Sequence, residues 1–288
     1  MTKSLKTPLR YPGGKSRAIP KLFQFLPTDI SEFREPFLGG GSMAIAMTKQ
    51  YPDIPIWVND MYEPLVNFWK VLQKNGEELT RDLVDLKKEY NTPEKAKEIF
   101  TSFRETLNEG DEIDRAVRFY TINKCSFSGL TESSSFSKQA SDNNWTMRGI
   151  YKLPAYGEMI GGWRITNLDY ADLVEDCTGH SENLTCEYST FIYADPPYSI
   201  KDHLYGEKGK LHKGFDHERF ANVMDDTIGN VMISYNNNKE IRDRFWEWKA
   251  YDWDHTYTMR STGDYMKDQK ARRELLLTNY NVPCQTEA

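Results

Sequence analysis

Phe191-Ile192-Tyr193-Ala194-Asp195-Pro196-Pro197-Tyr198 is the stretch that decides how this chain is read. The apolar run Phe191 to Ala194 reads as a short buried strand, and the prolines after Asp195 cannot continue it. A carboxylate and an aromatic ring are thereby fixed at the carboxyl end of a strand. In an open α/β sheet that edge is where ligands bind. The group suits a flat, amine-bearing base: the ring can stack on it, while the carboxylate and a nearby backbone carbonyl accept from its N–H bonds. The plainer alternative is a strand-ending turn with a solvated Asp.

A second segment strengthens the first reading. Glu35-Pro36-Phe37-Leu38-Gly39-Gly40-Gly41-Ser42-Met43-Ala44 feeds a strand into a glycine turn and then into a helix. Glycines let the backbone approach a ligand, and a helix N-terminus offers free N–H groups. Asp60 ends the next apolar run, Ile56 to Asn59, where it can accept from both hydroxyls of a ribose. Gly39-x-Gly41-x-x-Ala44 also fits a dinucleotide fingerprint, so an NAD-type oxidoreductase is the runner-up. That alternative leaves the 195–198 group without a purpose. A third segment, Tyr11-Pro12-Gly13-Gly14-Lys15-Ser16, ends like a P-loop, but Leu9 stands where the first glycine belongs and no strand precedes it.

Alternating patterns organise the rest. A helix is expected from about Ser16 to Phe25, strands at 32–37 and 56–59, and a helix after the glycines to about Gln50. Residues from about Pro64 to Tyr120 read as helical, with breaks near Gly76, Pro93 and Gly110. Residues 121 to 150 crowd Ser, Asn, Gly and Thr around Phe127, Phe136 and Trp145, a loop or hairpin composition. Strands resume at 163–168, 191–194, 231–234 and 274–278. Strands, a helical block and strands again predict an α/β domain interrupted by an insertion.

Composition narrows the classes. With 288 residues, 39% hydrophobic and 13% aromatic, the chain can build a substantial core. It holds no apolar run long enough to span a membrane and begins with no signal-peptide pattern. Cys125, Cys177, Cys186 and Cys284 lack close pairing, which predicts thiols in a reducing, cytoplasmic compartment. Cys177, His180 and Cys186 lack a fourth ligand nearby, so no metal is expected. The net charge of −6 hides an uneven distribution: residues 1 to 28 carry six Lys or Arg and no acid. Residues 260 to 273 carry a second basic group that includes Arg260 and Lys270. Such local fields can bind phosphates on an acidic protein.

Together these segments resemble the Dam-type DNA adenine-N6 methyltransferases of the alpha arrangement. In that family an aromatic-x-Gly-Gly-Lys segment precedes Glu-Pro-Phe-x-Gly-x-Gly-Ser, a target-recognition insertion follows, and Asp-Pro-Pro-Tyr comes last. The resemblance covers nearly the whole chain. It implies a Rossmann-like methyltransferase sheet, formed by residues 1–62 and 163–288, with a mainly helical target-recognition domain inserted at 63–162. It implies S-adenosylmethionine as cofactor, surrounded by Tyr11, Gly14, Lys15, Glu35, Phe37, Gly39, Gly41, Ser42, Asp60, Asp169, Tyr170 and Asp195. Asp195, Pro196, Pro197 and Tyr198 match the catalytic motif.

The resemblance also implies a monomer acting on double-stranded DNA by base flipping, in the company of a restriction endonuclease. The assigned DNA contacts are Arg10, Asn123, Lys124, Ser128, Arg148, Arg260 and Lys270. Members that modify GATC carry Asn-Arg-x-x-x-Asn-Gly-Leu, whereas this chain has Asn123-Lys124-Cys125-Ser126-Phe127-Ser128-Gly129-Leu130. Lys124 and Ser128 depart from that pattern and leave the recognition sequence open. An RNA adenine-N6 methyltransferase is the nearest alternative, because the same pocket would serve.

Overall fold

The computed structural model describes residues 5–129, 131, 134–177, 187–198, 214–254 and 273–283. Its strands are β1 Glu32–Glu35, β2 Ile56–Asn59, β3 Trp163–Thr166, β4 Thr190–Ala194, β5 Asn230–Asn236, β6 Lys249–Asp254 and β7 Arg273–Thr278. They form one sheet in the order β3-β2-β1-β4-β5-β7-β6. β1 to β5 pair in parallel, and β7 lies antiparallel to both β5 and β6. The chain leaves β1 toward β2 on one side and returns as β4 on the other. Such a switch point opens a crevice beyond the carboxyl ends of the two central strands. The sequences following β1 and β4 are the glycine turn and Asp195-Pro196-Pro197-Tyr198, so the fold brings the two decisive segments together.

β4 is apolar because both faces of the central sheet are covered, whereas β1 buries the charged Arg34 and Glu35 beside Phe33. All of β4 is buried, and Phe33 on β1 meets Phe191 on β4 with ring centroids 5.6 Å apart. Every expected strand is present, with ends shifted by a few residues at most. β6 is additional. Its sequence, Lys249-Ala-Tyr-Asp-Trp-Asp, alternates with charged residues because it is an edge strand paired only to β7. Asn59 ties the strand ends together: its side-chain amide donates to the carbonyls of Pro36 and Leu168 and accepts from the Leu168 N–H.

The expected helix near residue 16 is shorter than predicted: α1 spans Ile19–Leu22 and a 3-10 turn follows at Phe23–Phe25. After the glycines, α2 is Ser42–Gln50. The block between β2 and β3 holds α3 Glu63–Glu89, α4 Pro93–Glu105, α5 Glu112–Cys125, α6 Lys138–Asn144, α7 Met147–Ile150 and α8 Leu153–Met159. Thr92 and Asp111 cap the helices that begin at the expected breaks. The break expected at Gly76 is only a kink, at Asn75, because tertiary packing overrides the local propensity. Here α3 and α8 approach closely; a Cβ on Gly157 would lie 2.4 Å from the Leu72 carbonyl oxygen.

Residues 121 to 150 differ from the expected loop or hairpin. They form the end of α5 and the short helices α6 and α7, with one antiparallel bridge between Ser126 and Phe136. Ser137 and Thr146, which read as loop residues, are helix N-caps that accept from Ala140 N and Gly149 N. The helical block shares its core with the sheet. One cluster of buried side chains runs from Phe33 and Met43 through Trp69 to Phe100 and Phe119.

Cys125 is a buried thiol, as expected, but Cys177 is disulfide-bonded, against the expectation of unpaired thiols. Among the described residues no helix is long and apolar enough to cross a membrane.

Candidate active site

The turn after β1 is built for close approach. Gly39 and Gly41 adopt φ of 47° and 66°, the left-handed region that favours glycine. A Cβ at Gly39 would meet the Tyr11 ring at 2.8 Å, and one at Gly41 would meet the Trp69 ring at 2.8 Å. Asp60 braces the turn by accepting from Gly39 N at 2.9 Å and from Tyr62 N at 3.0 Å. Glu35, at the end of β1, accepts from Ala44 N at 2.9 Å and so pins the start of α2. Ser42 and Ser16 share a 2.8 Å hydrogen bond that joins the first loop to this helix.

Beyond β4, Asp195 faces a buried cation. Lys15 Nζ donates to both carboxylate oxygens of Asp195 at 2.7 Å, to Tyr198 Oη at 3.0 Å and to the Gly13 carbonyl at 3.2 Å. Tyr198 Oη in turn donates to Glu274 Oε2 at 2.8 Å. Burial works against the Lys15 ammonium, but Asp195 and Glu274 outweigh it and hold its proton more tightly than in an ordinary lysine. Burial raises the Asp195 carboxyl, and Lys15 and Tyr198 limit the rise. Burial likewise raises Glu35 well above the usual carboxylate range and Asp60 to about 6, despite the backbone N–H groups each receives.

Between these groups lies a cavity of about 380 Å³, within the size class of small-molecule sites. Every residue assigned to the cofactor lines it, from Tyr11 and Gly14 through Ser42 to Asp169, Tyr170 and Asp195. Phe37 packs on Tyr170 with centroids 5.5 Å apart and forms an apolar wall. Asp169 is held by Ala171 N and by a two-pronged ion pair with Arg219, both bonds 2.9 Å. That pair draws its carboxyl below the usual range. Of the catalytic segment, Pro197 lines the cavity and Pro196 is buried. Tyr198 stacks on Tyr235, centroids 6.0 Å apart.

The residues assigned to DNA fall into three groups. Arg10, Asn123, Lys124 and Ser128 cluster where the first loop meets the end of α5. Asn123 is wholly buried and clamps the Arg10 backbone, accepting from its N–H at 3.0 Å and donating to its carbonyl at 2.7 Å. Arg10 Nη1 donates to the Ser126 carbonyl at 3.0 Å. Lys124 is nearly buried beside the Tyr120 ring, and desolvation plus the Arg10 charge lower its pKa to about 7. Ser128 sits in a turn at φ 57°. Arg148 stands apart, exposed on α7. Arg260 and Lys270 lie outside the described residues, as do His180 and Cys186. Among the described residues no three His, Cys, Asp or Glu side chains gather as metal ligands would.

The sequence reading missed Glu274, Arg219 and Phe215. Glu274 carried a signal: an acid opening the apolar run Leu275 to Leu277 is as anomalous as Glu35 beside Phe33. Arg219 and Phe215 carried none, because only the tertiary fold brings the helix His217–Asp225 to the cavity.

Residues 11–259 match the family described as D12 class N6 adenine-specific DNA methyltransferase. The chain is 24% identical to modification methylase LlaI of Lactococcus lactis subsp. lactis, across 96% of this chain but 44% of that protein. It is 27% identical to the type II methyltransferase M.MjaIII of Methanocaldococcus jannaschii, across 66% of this chain and 68% of that protein. It is 23% identical to the type II methyltransferase M1.LlaDCHI of Lactococcus lactis subsp. cremoris, across 94% of each. With that match running over most of a chain whose glycine turn and Asp195 meet at the switch point of the sheet, the protein belongs to the D12 class N6 adenine-specific DNA methyltransferases.

Proposed function

We propose that this protein transfers the methyl group of S-adenosylmethionine to N6 of an adenine flipped out of duplex DNA. The observation that carries the reading is the position of Asp195, which lines the cavity and is also bound to Lys15 beside Tyr198. The cavity suits an adenosyl cofactor in its chemistry. Glycine backbone, carboxylates such as Asp60 and Glu35 and the Phe37–Tyr170 wall offer what a ribose, an amine and a purine face require. When bound, the cofactor supplies an electrophilic methyl group on a sulfonium, and the protein's task is alignment.

The adenine amine is a weak nucleophile because its lone pair is delocalised into the ring. Asp195 and the Pro196 carbonyl accept its hydrogens and draw the nitrogen out of the ring plane, so the lone pair localises for in-line attack. To do so Asp195 releases one oxygen from Lys15, which keeps the other oxygen, the Gly13 carbonyl and Tyr198 as partners. Tyr198 extends the stack begun by Tyr235 onto the flipped base. The names of the relatives support a modification enzyme, for which a restriction endonuclease of matching specificity is the partner.

The test is labelled methyl transfer to duplex DNA and to single-stranded RNA, followed by nucleoside analysis. N6-methyladenine in DNA alone is expected. Label confined to RNA, or on another base, overturns the reading.

A further inference from the structure

Glu274 is the second residue of β7 and is 2% exposed. It faces Asn236 of β5 and Trp253 of β6 in the ladder, so the sheet fixes its backbone on both sides. A buried carboxylate is costly unless paired, and removing one partner of a buried charged group leaves the other uncompensated. Here the partners belong to the reaction centre. Tyr198 Oη donates to Glu274 Oε2 at 2.8 Å and accepts from Lys15 Nζ at 3.0 Å, while Lys15 also grips Asp195 at 2.7 Å. One ammonium thus stands near two carboxylates, the half-buried Asp195 and the buried Glu274, with Tyr198 as the bridge.

We propose that Glu274 is a positioning residue for methyl transfer: it locks the Tyr198 ring and shares the Lys15 charge with Asp195, which leaves Asp195 able to give an oxygen to the target amine. The inference rests on the proposed roles of Asp195 and Tyr198. With Asp195 as the sole counter-charge, Lys15 would hold its two oxygens more tightly still in a low-dielectric site, and the incoming amine would compete poorly. Glu274 weakens that grip. The charged or titratable groups around Asp195 are Lys15, Glu35, Tyr193, Tyr198 and Glu274. Of these, Lys15 and the Tyr198 hydroxyl favour its ionised form, while Asp195 raises Glu35 and Glu274, so the three carboxylates oppose one another's ionisation.

The test compares Glu274→Gln and Glu274→Ala with wild type and Asp195→Ala. It uses steady-state methylation of duplex DNA across pH, cofactor calorimetry and thermal melting. Glu274→Ala is expected to lose at least about 10-fold in kcat, with cofactor affinity within about 2-fold of wild type. Glu274→Gln still accepts from Tyr198, so part of kcat returns. It lacks the negative charge, so Asp195 ionises at lower pH and the acid limb of the kcat profile moves down. If Glu274→Ala does not fold, Glu274→Gln alone decides, and an unmoved acid limb overturns the proposal. Wild-type kcat in Glu274→Ala overturns it too. An active Asp195→Ala overturns the underlying reading of the site instead.

Discussion

Lys15 Nζ lies 2.7 Å from both carboxylate oxygens of Asp195, and the two residues are 180 positions apart in the chain. The ion pair closes the crevice between the first loop and the end of β4. It also places the proposed acceptor of the target amine under the control of a cation carried by the first loop.

Asp195→Ala removes that acceptor and leaves the glycine turn and Asp60 in place. Methylation is expected to fall by at least about 100-fold, the scale for losing one preorganised polar group. Cofactor affinity should change far less. A rapid-quench comparison of methyl transfer, alongside calorimetry, checks the split; a variant that turns over like wild type removes Asp195 from the reaction.

Asp60 predicts a dependence on acidity. Its carboxyl is raised to about 6, so it gains a proton as the pH falls through that value and ceases to be a charged acceptor. Cofactor affinity should therefore drop between pH 7 and pH 5. Asp60→Ala should cost roughly 1–3 kcal/mol of cofactor binding and show a flatter pH profile. Equal affinities of wild type and variant across that window would exclude the contact.

Arg10 and the other assigned cations should behave differently on DNA. Arg10→Ala is expected to relax discrimination at one base of the site, with about 1–3 kcal/mol lost there. Arg148→Ala, Arg260→Ala and Lys270→Ala should weaken all duplexes alike and flatten the salt dependence by about one unit each. Binding curves on cognate and singly substituted duplexes at several salt concentrations separate the two. A uniform loss for Arg10→Ala makes it a phosphate contact.

Lys124 makes a prediction about stability. Burial and Arg10 lower its folded pKa to about 7, so between that value and its ordinary one near 10.5 the unfolded chain binds more protons. Stability from this group therefore rises with pH across that window, and the burial penalty is complete below pH 7. Lys124→Met should melt higher than wild type at pH 6.5, and the gap should shrink as the pH approaches 10. A gap that stays constant with pH contradicts the burial of a titrating amine.

Most of the sheet was legible because β2, β4, β5 and β7 hold short apolar runs, and the pocket because glycines and acids stood at strand ends. Every cofactor assignment proved to line one cavity. Lys15 was assigned to the cofactor, but its ion pair with Asp195 joins distant segments, and no local pattern encodes such a distance. The insertion was the least legible part. Ser137 and Thr146 terminate loops and begin helices equally well, and only the residues packed behind them decide which. Asn123 looked like a DNA contact from its neighbours in sequence, whereas its side chain is consumed by the Arg10 backbone.

That clamp has a mechanical consequence. The first loop is fastened at Arg10 to the end of α5 and at Lys15 to Asp195, so the short span between them is a strut joining the proposed DNA-reading block to the proposed reaction centre. A wrong base that displaces Arg10 would pull on the same strut that sets Lys15. Errors in recognition would then register as slow chemistry as well as weak binding, and fidelity would be enforced twice by a single stretch of backbone.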